Sequence, residues 1–259
     1  MTLAFRICIY TLVVIYGLVI GSFLNVLILR IPEGEDFVRI RSHCVKCGYQ
    51  LAWFDMIPVF SYLALGGKCR KCGEKISPQY PIIEALNAVL YLIVFLCNGI
   101  SFLSVIYCMV TSALIVISVI DERTMEIPLG LTIFIGVMGV IRAGMDWQHI
   151  SLYIIGMCSV GLFLEILFVG SGGRWIGGGD ATLMMAAGLV LGWKNVIAGF
   201  FLSCIIGSVV HTIRMKMTNA DKVLSLGPYL AVGIYIMMLC GDKLVNWYLE
   251  VTRLSVLLG

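Results

Sequence analysis

A chain of 259 residues that is 60% hydrophobic and only 13% charged is not a water-soluble domain, for which roughly 45–50% apolar and about 25% charged residues are usual. The formal charge of +3, with the basic residues collected between apolar runs, does not point to nucleic acid. What remains is an all-α polytopic membrane protein.

The first apolar run, 6–29, is too long for the core of a cleavable signal and lacks a small-residue cleavage site, so it reads as a retained span. A polar stretch follows at 32–80. Further apolar runs lie at 81–97, 100–120, 127–145, 150–169, 181–193, 195–213 and 223–241. A crossing helix needs about 20 apolar residues, so about eight transmembrane helices are expected. The run at 181–193 is short, reaching about 20 Å at the helical rise, and "GWKN" at 192–195 supplies the turn that separates it from the next. The division expected is a first transmembrane helix over 1–31, a cytosolic loop over 32–80 and a transmembrane domain over 81–259.

Cytosolic loops carry an excess of Lys and Arg. With eight spans and both termini outside, thirteen of the 18 basic residues fall inside: those from Arg30 to Lys75, and Arg123, Arg174, Arg214, Lys216 and Lys222. Arg6, Arg142, Lys194, Lys243 and Arg253 fall outside. Whether 181–193 crosses does not change this score. Either way, Asp121 and Asp180 come to the same depth at the cytosolic face.

The loop 32–80 contains "CVKCG" at 44–48 and "CRKCG" at 69–73, a C-x2-C-x21-C-x2-C pattern. Two such pairs can fill a tetrahedral zinc site through Cys44, Cys47, Cys69 and Cys72. Lys46, Arg70 and Lys71 would offset the thiolate charge. A closed four-sulfur site leaves no open position, so its role is structural. The alternative, two disulfides, is disfavoured in a reducing compartment. Cys8, Cys97, Cys108, Cys158, Cys204 and Cys240 stand singly in or beside apolar runs and read as core packing.

Two acids are harder to explain as solvated charges. "SVIDERTMEIPLG" at 118–130 puts Asp121 directly after an apolar run, and "GRWIGGGDATLMMAAG" at 173–188 puts Gly177, Gly178 and Gly179 before Asp180. Glycine allows a positive φ or a close backbone approach. Singly, Asp180 reads as a helix N-cap and Asp121 as a helix-end acid near Arg123. Together, at membrane depth where ionisable groups are costly, they read as a carboxylate pair sharing a proton, able to hydrolyse a peptide without metal. Pro128 restarts a helix. Glu122, Arg123 and Glu126 read as solvated loop charges, Glu126 having substrate contact as its alternative.

Several stretches then resemble the type IV prepilin peptidases, a family of GxGD membrane aspartyl proteases. They are "GSFLNVLILRIP" at 21–32, the two cysteine pairs, "YPIIE" at 80–84, Asp121 with Pro128 seven residues on, "GGGD" at 177–180, and "LGPYLAVG" at 226–233. The resemblance runs in order over most of the chain. It implies a multi-pass enzyme of the bacterial cytoplasmic (inner) membrane, active site facing the cytosol, that cleaves the basic leader of prepilins or pseudopilins after a glycine. It also implies S-adenosylmethionine-dependent N-methylation of the new N-terminus. Asp121 and Asp180 fall on the family's catalytic aspartates; Gly21, Asn25, Arg30 and Glu84 match the family pattern, and Asn25, Arg30 and Glu84 are candidates for binding substrate or bridging helices. Thr182 stands where members commonly carry lysine. The implied partners are prepilin substrates and the lipid bilayer, with no nucleic acid; the implied cofactors are structural zinc and S-adenosylmethionine. Two other functions fit parts of the pattern: a GxGD protease with different membrane substrates, or a transporter or assembly scaffold, for which Glu165 is the one mid-span acid.

Overall fold

The structure, a computed structural model, describes residues 3–218 and 224–252. Lys222 and Arg253, counted above for orientation, lie outside the described residues. The helices are α1 Leu3–Glu33, α2 Phe60–Ala64, α3 Gln79–Asn98, α4 Phe102–Thr124, α5 Leu129–Met145, α6 Ile150–Ser171, α7 Gly178–Leu191, α8 Trp193–Thr218 and α9 Gly227–Val251. No strand occurs among the described residues; His43 with Gln50 and Lys68 with Lys75 form isolated bridges. Each apolar run of the sequence becomes one helix.

Six helices are long and apolar enough to cross a membrane, namely α1, α3, α4, α6 with its lead-in from Trp147, α8 and α9. This is a multi-pass membrane protein. The apolar helices α5 and α7 are shorter, at 17 and 14 residues, or about 26 and 21 Å. The brevity of α7 has a physical reason. Ala181, Leu183, Met184 and Ala187 are wholly inaccessible, so its length is set by protein neighbours and not by lipid thickness. In the other direction, α9 runs ten residues beyond the expected end at 241, past a kink at Cys240 where φ is −142°.

The chain forms two compact units, Met1–Ser101 and Phe102–Gly259. By packing, the first span, the cysteine loop and the second span belong together. In this first unit, α1 lies against α3 through small residues. A Cβ at Gly17 would stand 2.6 Å from Ala88 Cα, and one at Gly21 would stand 2.7 Å from Glu84 Cα. Lipid offers no hydrophobic drive to hold two apolar helices together, so close backbone approach and interhelical hydrogen bonds do it. Asn87 supplies one, donating to the Gly17 carbonyl at 2.7 Å.

The second unit uses the same device around its buried short helix. Gly156 of α6 and Gly188 of α7 touch backbone to backbone, and Gly139 of α5 packs on Leu189. The α8–α9 contact passes through Gly199, Ser203 and Gly233. Helix α4 packs on α5 and α9, with Val110, Val116 and Ile117 wholly buried.

Candidate functional site

The last turn of α4 carries Asp121, which is only 5% exposed. Its backbone is fixed by the helix ending there: Met125 adopts a left-handed φ of 56° and donates its N–H to the Asp121 carbonyl at 2.9 Å. Its side chain is fixed from 106 residues away. The N–H of Gly227, at the start of α9, donates to Asp121 Oδ2 at 2.8 Å. First-turn N–H groups have no partner inside their own helix, so a carboxylate there meets an unused donor. Only glycine fits at 227, because a Cβ would stand 2.6 Å from Asp121 Oδ2.

Asp180 is half-buried in the first turn of α7. The N-cap is Gly177, with φ −74°, and Gly178 and Gly179 are already helical. The expected N-cap role for Asp180 is therefore not observed, nor do these glycines use positive φ. They act by close approach: a Cβ on Gly179 would lie 2.8 Å from Ile127 Cβ, and one on Gly178 would lie 3.3 Å from Phe168. Ile127 lies in the short link that follows α4, six residues after Asp121. Packing Gly179 onto it brings the start of α7, with Asp180, to the Asp121 end of the unit. Thr182 donates its hydroxyl to the Gly179 carbonyl at 2.9 Å, fastening the glycine turn instead of supplying a cation.

The surrounding charges depart from expectation. Glu122 is a paired residue of α4, not a solvated loop charge. Its carboxylate accepts from Arg214 Nη1 of α8 at 2.5 Å and from Ser225 Oγ at 3.0 Å. Sequence reasoning missed this link because its partners lie about a hundred residues downstream. It also gave "LGPYLAVG" no role beyond resemblance, although a glycine before a proline at a helix start is the signal for the Gly227 contact.

In the first unit the four cysteines converge as their spacing implies. The Sγ atoms of Cys44, Cys47, Cys69 and Cys72 lie within 4.8 Å of one another, and Cys44 and Cys72 are 3.8 Å apart. A tetrahedron with Zn–S bonds of about 2.3 Å has edges of about 3.8 Å, whereas a disulfide would bring two sulfurs to about 2.05 Å. Each pair sits on the same turn. Gly48 and Gly73, at φ 68° and 72°, donate to the carbonyls of Cys44 and Cys69 at 2.9 Å. Backbone N–H groups of Cys47 and Lys46 lower the Cys44 thiol to about 6. At Cys72 the Glu74 N–H favours the thiolate, but desolvation and the neighbouring sulfurs outweigh it and push the thiol up to about 12. A dication at the centre lets all four ionise, so the residues fit zinc.

The cations near this loop divide their work. Lys46 bonds Glu74 at 2.5 Å and is raised by it, with a further contribution from the thiolates of Cys72 and Cys44. Arg70 is committed elsewhere, to Asp55 at 2.8 Å and to the face of Phe54 at 5.0 Å. Asp55 is desolvated, yet the Arg70, Ala52 and Tyr49 hydrogen bonds hold it below the usual carboxylate range. His43 points Nδ1 at the Arg41 carbonyl, 3.2 Å away.

The other sequence candidates are structural joints of the first unit. Asn25, fully buried, donates to the carbonyls of Gly21 and Tyr80 at 3.3 and 3.2 Å, tying α1 to α3. Arg30 donates to the Ile40 carbonyl at 2.7 Å, bracing the start of the loop. Glu84 accepts the N–H of Val59 at 2.7 Å and anchors a β-branched residue at φ 61°, a conformation costly without such support.

The fold and the site together define a helical membrane protein with acids at the end of α4 and the start of α7 and a four-cysteine cluster in its loop. The description "Bacterial Peptidase A24 N-terminal domain" matches residues 15–98, and "Type IV leader peptidase family" matches 108–212. The chain is 31% identical to the prepilin leader peptidase/N-methyltransferase of Bacillus subtilis (strain 168), over 91% of this chain and 96% of that protein. It is 28% identical to the protein of that description from Aeromonas salmonicida (strain A449), over 93% and 94%. To the one from Pseudomonas aeruginosa it is 27% identical, over 96% and 94%. No solved structure matches. The chain belongs to the type IV leader peptidase family, and it is an enzyme, a peptidase.

Proposed function

We propose that this chain is a membrane aspartyl endopeptidase that removes the basic leader of type IV prepilins or pseudopilins after a glycine, at the cytosolic face of a bacterial inner membrane. One observation carries the reading: Gly179, next to Asp180, packs on Ile127 of the link that leaves Asp121, so the start of α7 lies against the end of α4 within the Phe102–Gly259 unit. Two carboxylates brought within about 3–6 Å hold one proton between them readily. The ionised acid takes a proton from a water whose oxygen attacks the peptide carbonyl carbon, while the protonated acid gives its proton to the carbonyl oxygen. As the tetrahedral intermediate collapses, the C–N bond breaks. The first acid protonates the leaving nitrogen, the second recovers a proton from a hydroxyl, and the pair is again singly protonated. A bond cut just ahead of a hydrophobic helix lies at the lipid edge, which is where this reading sets the end of α4 and the start of α7.

Cys44, Cys47, Cys69 and Cys72 would hold a structural zinc that cross-links the loop. A four-thiolate site has no open position and takes no part in hydrolysis. The relatives' second activity carries over as N-methylation of the new N-terminus, with S-adenosylmethionine as methyl donor.

The test is leader release from a prepilin peptide by the purified chain in lipid, with Asp121→Asn and Asp180→Asn each expected to lose about 10³-fold or more. Cleavage at the parent rate in either variant overturns the dyad. Equal cleavage of substrates with and without glycine before the cut would favour a GxGD protease of other specificity. A labelled methyl donor in the same assay reads the transferase step separately.

A further inference from the structure

Glu122 follows Asp121 on α4, and successive helical side chains leave the axis about 100° apart, so the two acids meet different neighbours. Asp121 is buried against the start of α9. Glu122 stands at the rim and takes partners from two other elements, Arg214 of α8 through Oε1 and Ser225 through Oε2. Ser225 is two residues ahead of Gly227, whose N–H reaches Asp121. Adjacent acids of one helix thus grip both ends of the segment 225–227.

A rim ion pair alone means little, since the side chains of Arg214 and Glu122 are 52% and 39% exposed and pairs in water contribute about 0–1 kcal/mol. Its position makes the difference. Gly227 approaches Asp121 so closely that even one carbon atom would clash with Oδ2. There is no slack: if the start of α9 recedes the N–H leaves the carboxylate, and if it advances the backbone collides with it. Packing on α4 and α8 holds the body of α9, but at its first residue the contact with Asp121 is a single N–H. Glu122 adds a second attachment two residues upstream and a third on α8.

We propose that Glu122 is a positioning residue for the peptidase reaction: through Ser225 and Arg214 it fixes the start of α9 at the separation where Gly227 bonds Asp121. This rests on the reading of Asp121 as one of the two catalytic acids. Glu122 acts through Asp121 and does not bind the substrate.

The experiment uses the full chain reconstituted in lipid and a prepilin peptide with a basic leader, comparing Glu122→Ala, Glu122→Gln, Ser225→Ala and the Glu122→Ala/Ser225→Ala pair. Groups that act as a unit give non-additive losses. Glu122→Ala should lower kcat about tenfold with KM within about twofold, and Ser225→Ala should lower kcat about threefold to fivefold. The pair should be no slower than Glu122→Ala within about twofold. Glu122→Gln keeps an oxygen for Ser225 and serves in place of Glu122→Ala if that variant does not fold. It should retain at least about a third of parent kcat, and if Glu122→Ala does not fold, parent kcat in Ser225→Ala overturns the proposal. Unchanged kcat in Glu122→Ala overturns the proposal. So does a raised KM with kcat intact, which would make Glu122 a reader of the basic leader, and so do multiplicative losses in the pair. Asp121→Asn, run alongside, separates the two ideas. If it still cleaves, the reading of the dyad fails; if it is inactive while Glu122→Ala matches the parent, only the positioning role fails.

Discussion

The chain gathers ionisable groups in two places and does so by opposite means. At the cysteine loop the ligands come in local pairs, two residues apart, each pair on a glycine-ended turn, so most of the geometry is fixed within five-residue segments. At the Asp121 end the side-chain contacts are distant: the acids are 59 positions apart in the sequence, and the donor on the Asp121 carboxylate comes from 106 residues away. The cysteine centre is built by turns that bring four sulfurs together. The carboxylate pair is built by helix packing, with glycine at each contact. Substitutions should therefore damage the two in different ways, one through ligand chemistry and the other through distance.

The sharpest break is at the acids themselves. Combining Asp121→Asn with Asp180→Asn should cost no more than either change alone, about 10³-fold or more in leader release, because neither acid works without the other. Multiplicative losses would show that they act separately. Next comes Gly227→Ala, which adds one carbon where 2.6 Å separates it from Asp121 Oδ2. Displacements of about 1 Å at a reacting group cost about 10²-fold, so kcat should fall by that order while zinc content stays at the parent value.

The converse holds at the cysteines. Cys44→Ser or Cys72→Ser should abolish stoichiometric zinc by elemental analysis and lower the thermal midpoint. Zinc affinity should fall as pH is lowered, because protons compete for the thiolates. In the metal-free cluster Cys44 sits at about 6 and Cys72 at about 12, so binding at neutral pH must expel protons, which calorimetry in buffers of different ionisation enthalpy measures. The smallest effect is expected at Gly17→Ala. The added carbon would meet Ala88 Cα at 2.6 Å and force α1 from α3, costing about 1–3 kcal/mol of stability with kcat nearly unchanged.

What the sequence reveals follows the same division. Hydropathy gives every long helix, since a lipid-crossing segment must satisfy its own backbone. Cysteine spacing gives the metal geometry because ligand and turn are contiguous. The parity of the crossings puts Asp121 and Asp180 at one end, though not in contact. The remainder depended on three-dimensional neighbours: Gly227 as the donor to Asp121, Glu122 as a paired group, and Gly177 as N-cap in place of Asp180. The glycines before Asp180 carry either of two meanings in sequence, positive φ or close approach, and only Ile127 and Phe168 beside them decide for the second.

The hydrogen bond from Gly227 to Asp121 also has a consequence for biosynthesis. A ribosome delivers both acids well before it delivers the helix that bonds one of them, so a nascent chain halted after α7 carries Asp121 and Asp180 without the Gly227 donor. On the proposed reading of these acids, leader cleavage would await the insertion of α9, which supplies that donor.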